Sequence, residues 1–367
     1  MLFRSAAFEQ RLAVFQRLST TFPDEPRFQN DLAASYEQIG ETMLALERLD
    51  DALAAHRACL AVRESQASAE PDDLQRLRDV WLANLSVGHV LGLLDRPADA
   101  LEYYGKSLAL AKKFTSMKGI GDGWRMLVMT EQRIGDSSLA LGLQQETLAA
   151  YRRGIDILRK QLAVDPQNGN AREKLQTNLA KMGFAQLALG NPEGALSFYE
   201  DALTLAPRDA VLHRDRGLAA FQAGRFAAAI ESLTTAVKID PKNAYSVLWL
   251  HLARSRVGHD DAPEFAANAR GLDRTQWSWS LVAHYLGKLD ADKLVASAAV
   301  SEDAKTRREQ TCEANFYIGS MQAKGKVVEA QSYLRSAARE CPKDFVEYAA
   351  ANAELKRLDG AAAARRK

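Results

Sequence analysis

An all-α solenoid of antiparallel helix hairpins is the fold this sequence predicts, on three observations. Small residues recur at fixed spacings along most of the chain. No segment shows the apolar/polar alternation of a half-buried strand. Prolines stand between helical patterns rather than inside them, where each would remove a donor and clash with the preceding turn. A chain of 367 residues, 47% hydrophobic and 26% charged, is long enough for two globular domains or one extended array. The internal repeats favour the array.

The chain opens on "MLFRS", followed at once by the helical pattern "AAFEQRLAVFQRL", which has the character of the second helix of a hairpin already under way. Leu2 to Ser5 also match what the end of a short-read sequencing adapter encodes, so the natural N-terminus is expected to lie upstream. From Pro23 onward the repeat period is 47 or 48 residues: Pro23 to Pro71 is 48, Gly40 to Gly88 is 48, Ala52 to Ala100 is 48, Gly88 to Gly135 is 47 and Gly135 to Gly183 is 48. The third of these long units carries "GIGDG" at Gly119 to Gly123 in place of a proline. No strand precedes it and no GK[ST] follows, so it is expected to be an interhelical turn, not a phosphate loop.

The period then shortens. Gly183, Ala195 and Pro207 recur 34 residues later as Gly217, Ala229 and Pro241, and Gly190 recurs as Gly224. Small side chains at Gly183, Ala195 and Ala202 let two helices approach closely, and large ones such as Leu179 and Tyr199 are expected to fill the layer between hairpins. Pro23 to Gly40 is 17 residues against 10 from Pro207 to Gly217, and Ala52 to Pro71 is 19 against 12 from Ala195 to Pro207. Each helix of a long unit is therefore seven residues longer, about two turns at 3.6 residues per turn, which returns its apolar face to nearly the same direction. The unit at Met182 to Pro207 is mixed: its first helix keeps the long spacing and its second the short one.

These residues, at a 34-residue period, resemble the tetratricopeptide (TPR) repeat, which implies a right-handed solenoid whose first helices line a concave, partner-binding face. The third short unit, Ala244 to Asp273, keeps Gly258 but has His251 at the small position and Pro263 where Ala is usual. A last unit runs from Thr311 to Pro342, with Gly325, Ala330 and Ala337 in register, and "DFVEYAAANAELKRL" closes as a capping helix. The expected organisation is long repeats over 1–166, standard repeats over 167–273 and a distinct C-terminal segment over 274–360.

From about Asp240 the segments "DPKNAYSVLWLHLA", "QWSWSLVAHYLGKLDADKL", "EANFYIG" and "DFVEYAAANAEL" resemble, in order and spacing, the C-terminal half of the NlpI lipoprotein family. That resemblance implies a bacterial outer-membrane-associated adaptor whose TPR helices dimerise and bring a periplasmic protease to peptidoglycan hydrolases. It covers about a third of the chain, with Trp277 and Trp279 its most specific part, and does not extend over the long repeats. Those resemble the repeats, about 48 residues long, appended to bacterial signalling and caspase-like proteins. The alternative they imply is a cytoplasmic regulatory array whose effector domain lies upstream.

Transferring the concave positions by register places Thr177, Phe184, Arg214, Leu218, Phe221, Tyr245, Leu248 and Arg256 in the groove. Arg214 and Arg256 would anchor a carboxylate, and Phe221 and Tyr245 an apolar side chain, unless the two aromatics only close the superhelix on itself. Trp277 and Trp279, one residue apart, point to different faces of a helix; they either seal a joint in the solenoid or anchor an interface. Cys312 is expected to open the first helix of the last hairpin and Cys341 to end its second, so the two thiols meet at one end. A disulfide there and a pair of buried free thiols both remain open.

Other chemistry finds little support. The six histidines are scattered singly, and no HExxH, GxSxG or P-loop pattern occurs. Asp72-Asp73 and Asp260-Asp261 fall where carboxylates cap helix starts. Three cysteines without CxxC spacing make no zinc site. A net charge of +1 argues against a general nucleic-acid binder, and the closing Arg365-Arg366-Lys367 is expected to be a solvated tail. No apolar run approaches the roughly 18 residues of a membrane span. The expectation is a non-enzymatic scaffold without metal or cofactor, whose partners are proteins or peptides.

Overall fold

A computed structural model describes the backbone of residues 2–22, 25–116, 123–343 and 345–364, and the side chains of the same stretches apart from 2–11 and 361–364. The side chains of "MLFRS", all of the "GIGDG" turn except Gly123, and the Arg365-Arg366-Lys367 tail lie outside the described residues. Among the described residues every element is an α-helix and no strand occurs. The chain divides into two compact units, residues 1–160 and 161–367.

Unit 1 comprises α1 (Leu2–Thr21), α2 (Pro26–Ala45), α3 (Leu49–Ala69), α4 (Leu74–Leu93), α5 (Pro97–Ser116), α6 (Gly123–Ala140) and most of α7 (Gln144–Val164). Unit 2 continues with α8 (Gly169–Ala188), α9 (Pro192–Leu205), α10 (Ala210–Gln222), α11 (Phe226–Ile239), α12 (Ala244–Arg256) and α13 (Ala262–Ala269). It ends with α14 (Trp277–Tyr285), α15 (Ala291–Ala298), α16 (Ala304–Gln322), α17 (Val327–Glu340) and α18 (Val346–Ala364).

Helix lengths follow the two spacings. The long hairpin α2–α3 has 20 and 21 residues, and the short hairpin α10–α11 has 13 and 14. The mixed hairpin pairs α8, of 20 residues, with α9, of 14. Prolines or turns deliver an Asp or Asn to the helix start: Asp73, Asn168, Asp209 and Asn243 each accept from backbone N–H groups two or three residues on. Hairpin turns need a left-handed residue, and Gly142, Gly190, Gly224 and Gly258 supply it at repeat spacing. At the same register Glu47 and Asp95 adopt φ of 58° and 57° without the freedom of glycine.

The small positions have one packing partner each. A Cβ on Gly88, Gly135 or Gly183 would come within 2.5, 2.7 or 2.9 Å of the ring of Tyr104, Tyr151 or Tyr199, always 16 residues later on the second helix. Gly40 meets His56 and Gly217 meets Leu233 in the same way. The glycine leaves room for the Tyr199 ring inside its own hairpin, and the same ring also lies close to Arg214 and Asp215 of the next hairpin.

Two expectations need correction. Helix α16 starts at Ala304, capped by Asp303 on the Thr306 N–H at 2.7 Å, so Cys312 lies two turns inside it instead of opening it. Asp261 precedes α13 but its carboxylate does not cap. It lies 2.6 Å from His251 Nδ1 and accepts from Arg254 at 3.2 Å, since those two side chains descend from α12 onto it.

Candidate binding grooves

The first helices of successive hairpins pack on one another: α4 meets α6 in unit 1, and α8, α10 and α12 meet in unit 2. Their outward faces form the surface that register assigns to partners. In unit 2 much of that surface is covered by the chain itself.

Thr177 is exposed and donates back to the Glu173 carbonyl at 3.1 Å, and Phe184 is half-buried. Arg214 is held by its neighbour Asp215 at 2.9 Å. Leu218, Phe221 and Leu248 are 2%, 2% and 0% exposed. Phe221 sits between Phe226 and Trp249, with the Arg256 guanidinium 5.6 Å above its ring. Trp249 in turn packs on Phe316 and Tyr317 of α16. The four residues Leu218, Phe221, Leu248 and Arg256 are thus not open to a partner in this arrangement, because α16 and α18 lie over them.

The carboxylate that Arg256 anchors is the chain's own Glu354, on α18, at 2.6 Å. Arg256 also donates to the Ser320 carbonyl at 3.1 Å, and Glu354 accepts from Arg357 at 2.8 Å. The Arg256 and Glu354 side chains are each only 4% exposed. Burial alone would raise the Glu354 carboxyl, but the two arginines hold it below the usual glutamate value.

A second polar cluster lies at the start of α18. Tyr245 donates to both Glu313 oxygens, at 3.0 and 3.1 Å, and the Trp277 indole N–H donates to Glu313 at 2.7 Å. Glu347 of α18 receives the Tyr317 hydroxyl at a long 3.5 Å. Burial pushes the Glu347 carboxyl up, and the nearby Glu313 pushes it further. Trp277 thus faces inward, whereas half-buried Trp279 lies on another side beneath the Arg274 guanidinium, 5.2 Å from its ring. The structure joins Cys312 to Cys341, with Cα atoms 4.8 Å apart, and Cys59 is a buried free thiol.

In unit 1 part of the same face is exposed among the described residues. Stepping back from Thr177 and Phe184 by 48 and then 47 residues leads to Met129 and Leu82, and to Asp136 and His89. Leu82 is 44% and Met129 37% exposed, large apolar side chains on adjacent first helices. Beside them His89, Leu93, Tyr104, Arg133 and Asp136 line a cavity of 220 Å³. Burial, and then Arg133, lowers the His89 pKa. These residues were not singled out by the groove assignment, although the repeat spacing alone locates them.

No group of three or more metal-ligating side chains occurs among the described residues, and no described helix is long and apolar enough to cross a membrane. The closest His–carboxylate pair, His251 with Asp261, also carries Arg254 and stacks on Phe265 at 4.5 Å, which makes it a brace for the α12–α13 turn.

The class defined by these features is the helical-hairpin repeat protein, an all-α solenoid. Residues 182–253 match the family model described as tetratricopeptide repeat. Among solved structures the chain is similar to the Rap conjugation gene regulator of plasmid pLS20, in complex with the Phr peptide, at 14% identity and a TM-score of 0.52 over 97% of each chain. It is also similar to a tetratricopeptide repeat protein from Parabacteroides merdae, at 11% identity and a TM-score of 0.48 over 88% of this chain and 98% of that one. Pseudomonas aeruginosa pilF shares 16% identity at a TM-score of 0.44 over 66% of this chain and 90% of that one. At such identities the likeness speaks to the fold alone.

Proposed function

We propose that the protein is a non-enzymatic scaffold that holds segments of other proteins along the first-helix faces of its hairpins. TPR proteins generally mediate protein–protein contact, and the Rap regulator was solved with a peptide bound. The observation that carries the reading for this chain is the exposed part of that face in unit 1. Leu82 and Met129 stay 44% and 37% exposed at equivalent repeat positions, flanked by the charges of Arg133 and Asp136. Exposed apolar side chains rimmed by polar groups suit a partner helix or extended peptide.

The finer reading is an adaptor that brings a protease or cell-envelope enzyme to its client. Its support is the NlpI-like order of motifs beyond Asp240, together with the Cys312–Cys341 bond, which suits an oxidising compartment. The long hairpins of unit 1 favour the second reading, a cytoplasmic regulatory array. Cross-linking pull-down in the native host compares wild type with Leu82→Glu/Met129→Glu. The double variant is expected to lose its partners while keeping its helical content. Equal recovery by both proteins would place the binding face elsewhere.

A further inference from the structure

We infer that α18 is an exchangeable occupant of the unit 2 groove, and that the groove's partner is a helix with a small-residue stripe and one acidic side chain for Arg256. The inference rests on the reading that first-helix faces accept helices, but it concerns unit 2, where the pull-down above probes unit 1.

What α18 presents to the groove defines the ligand. Its inward stripe is Glu347, Ala350, Ala351, Glu354 and Leu358, with spacings of three, four and seven that share one helix face. Between the two carboxylates the stripe holds only alanines, which bring little apolar area to hold the helix down. Specific attachment comes from the Glu354–Arg256 contact, and any helix placing a carboxylate at that point reproduces it.

The fit of α18 is also imperfect in two places. Glu347 is 3% exposed, forms no ion pair among the described residues, and shares the interior with Glu313, a burden that a backbone hydrogen bond, the Tyr317 hydroxyl and the attraction of Arg214 only partly offset. A partner helix with a neutral residue seven positions before its acidic one avoids that cost. Along the other side, a cavity of 490 Å³ separates α18 from the α8–α9 turn and the end of α10. Tyr348, Asn352 and Lys356 of α18 face it across from Leu189 and Gln222. An incoming helix therefore has a place to begin before α18 leaves.

The connection permits exchange without dismantling the hairpin before it. The Cys312–Cys341 bond closes the α16–α17 pair at the last residue before the short link to Val346, so that pair stays stapled whether or not α18 is docked.

The test uses the full-length protein and a fluorescein-labelled synthetic peptide of residues 346–360. Anisotropy titrations compare wild type with Glu354→Gln, which weakens the hold of α18 and leaves Arg256 in place. The variant is expected to bind the peptide at least tenfold more tightly than wild type, and peptide carrying Glu354→Gln should lose that gain. Hydrogen exchange in wild type should show α18 amides losing protection as peptide saturates. If Glu354→Gln misfolds, Arg256→Glu with Glu354→Arg restores the pair with reversed sign; that protein should prefer peptide carrying Glu354→Arg. Equal binding by both proteins, with α18 protected throughout, would make α18 a fixed part of the core. A dimer with protected α18 amides would assign the groove to a second copy and overturn the separate partner.

Discussion

Raising the pH from 5 to 8 is expected to destabilise unit 2, and Glu347→Gln to remove most of the effect. Glu347 is held above the ordinary glutamate pKa first by burial and then by Glu313, with Arg214 of α10 offsetting part of this. Glu313 is itself pushed up by burial, against the pull of the Trp277 and Tyr245 hydrogen bonds, and Glu309 adds to the rise. An acid with a raised folded pKa keeps its proton in the folded chain after the unfolded chain has lost it. Below the unfolded value, near 4.5, the group has no effect on stability. As pH climbs from there toward the folded value stability falls, and above that value the whole penalty is present. Each pH unit crossed by one group costs about 1.36 kcal/mol, so two units cost about 2.7 kcal/mol. For a folding unit of roughly 150–250 residues 1 kcal/mol moves Tm by about 2–4 °C, which places the fall at about 5–11 °C. Calorimetry of the full chain at pH 5, 6.5 and 8 and constant ionic strength measures it, with hydrogen exchange to locate the loosening at α18. In Glu347→Gln the fall should shrink by at least half. A wild-type Tm that is flat or rising over this range, or an equal fall in the variant, would refute the account of the carboxyl pair.

The glycine register makes a paired prediction. Gly88→Ala drives a methyl against the Tyr104 ring and should cost about 1–2 kcal/mol net, overpacking outweighing the gain in helix propensity. Gly105→Ala, with nothing within 4 Å of its Cβ, should stabilise by about 0.5–1 kcal/mol, both read by thermal melts. Asp95→Gly relieves a left-handed residue and should raise the melting point of unit 1 by the equivalent of about 1 kcal/mol. Cys312→Ser, or reduction, opens a loop of sequence separation 29 and should cost unit 2 about 3–4 kcal/mol, measured in urea with and without reductant.

Where reasoning from the sequence succeeded, the information was local and periodic. Seven extra residues per helix are visible as a change in spacing, and helices of 20 against 13 residues follow directly. Register likewise says which face of a helix a residue occupies. It does not say which segment will lie over that face, and this is where the groove assignment parted from the structure. Arg256 and Glu354 are 98 residues apart, and Tyr245 and Glu313 are 68 apart. No period connects them, so a cation on a concave face looked like an anchor for a foreign carboxylate when its partner was internal. The same limit explains Asp261, whose place before a helix suggests a cap while its carboxylate serves His251 and Arg254 from the preceding helix. At the register of Leu82 and Met129, both exposed, unit 2 carries Thr177 and Val211, exposed as well, and Tyr245, which is drawn onto Glu313. The covered part of unit 2 is further along the same helices, at Phe221 and Arg256, where α16 and α18 close in. The residues that decide whether that part of the groove is free lie outside the repeats that build it, on α16 and α18.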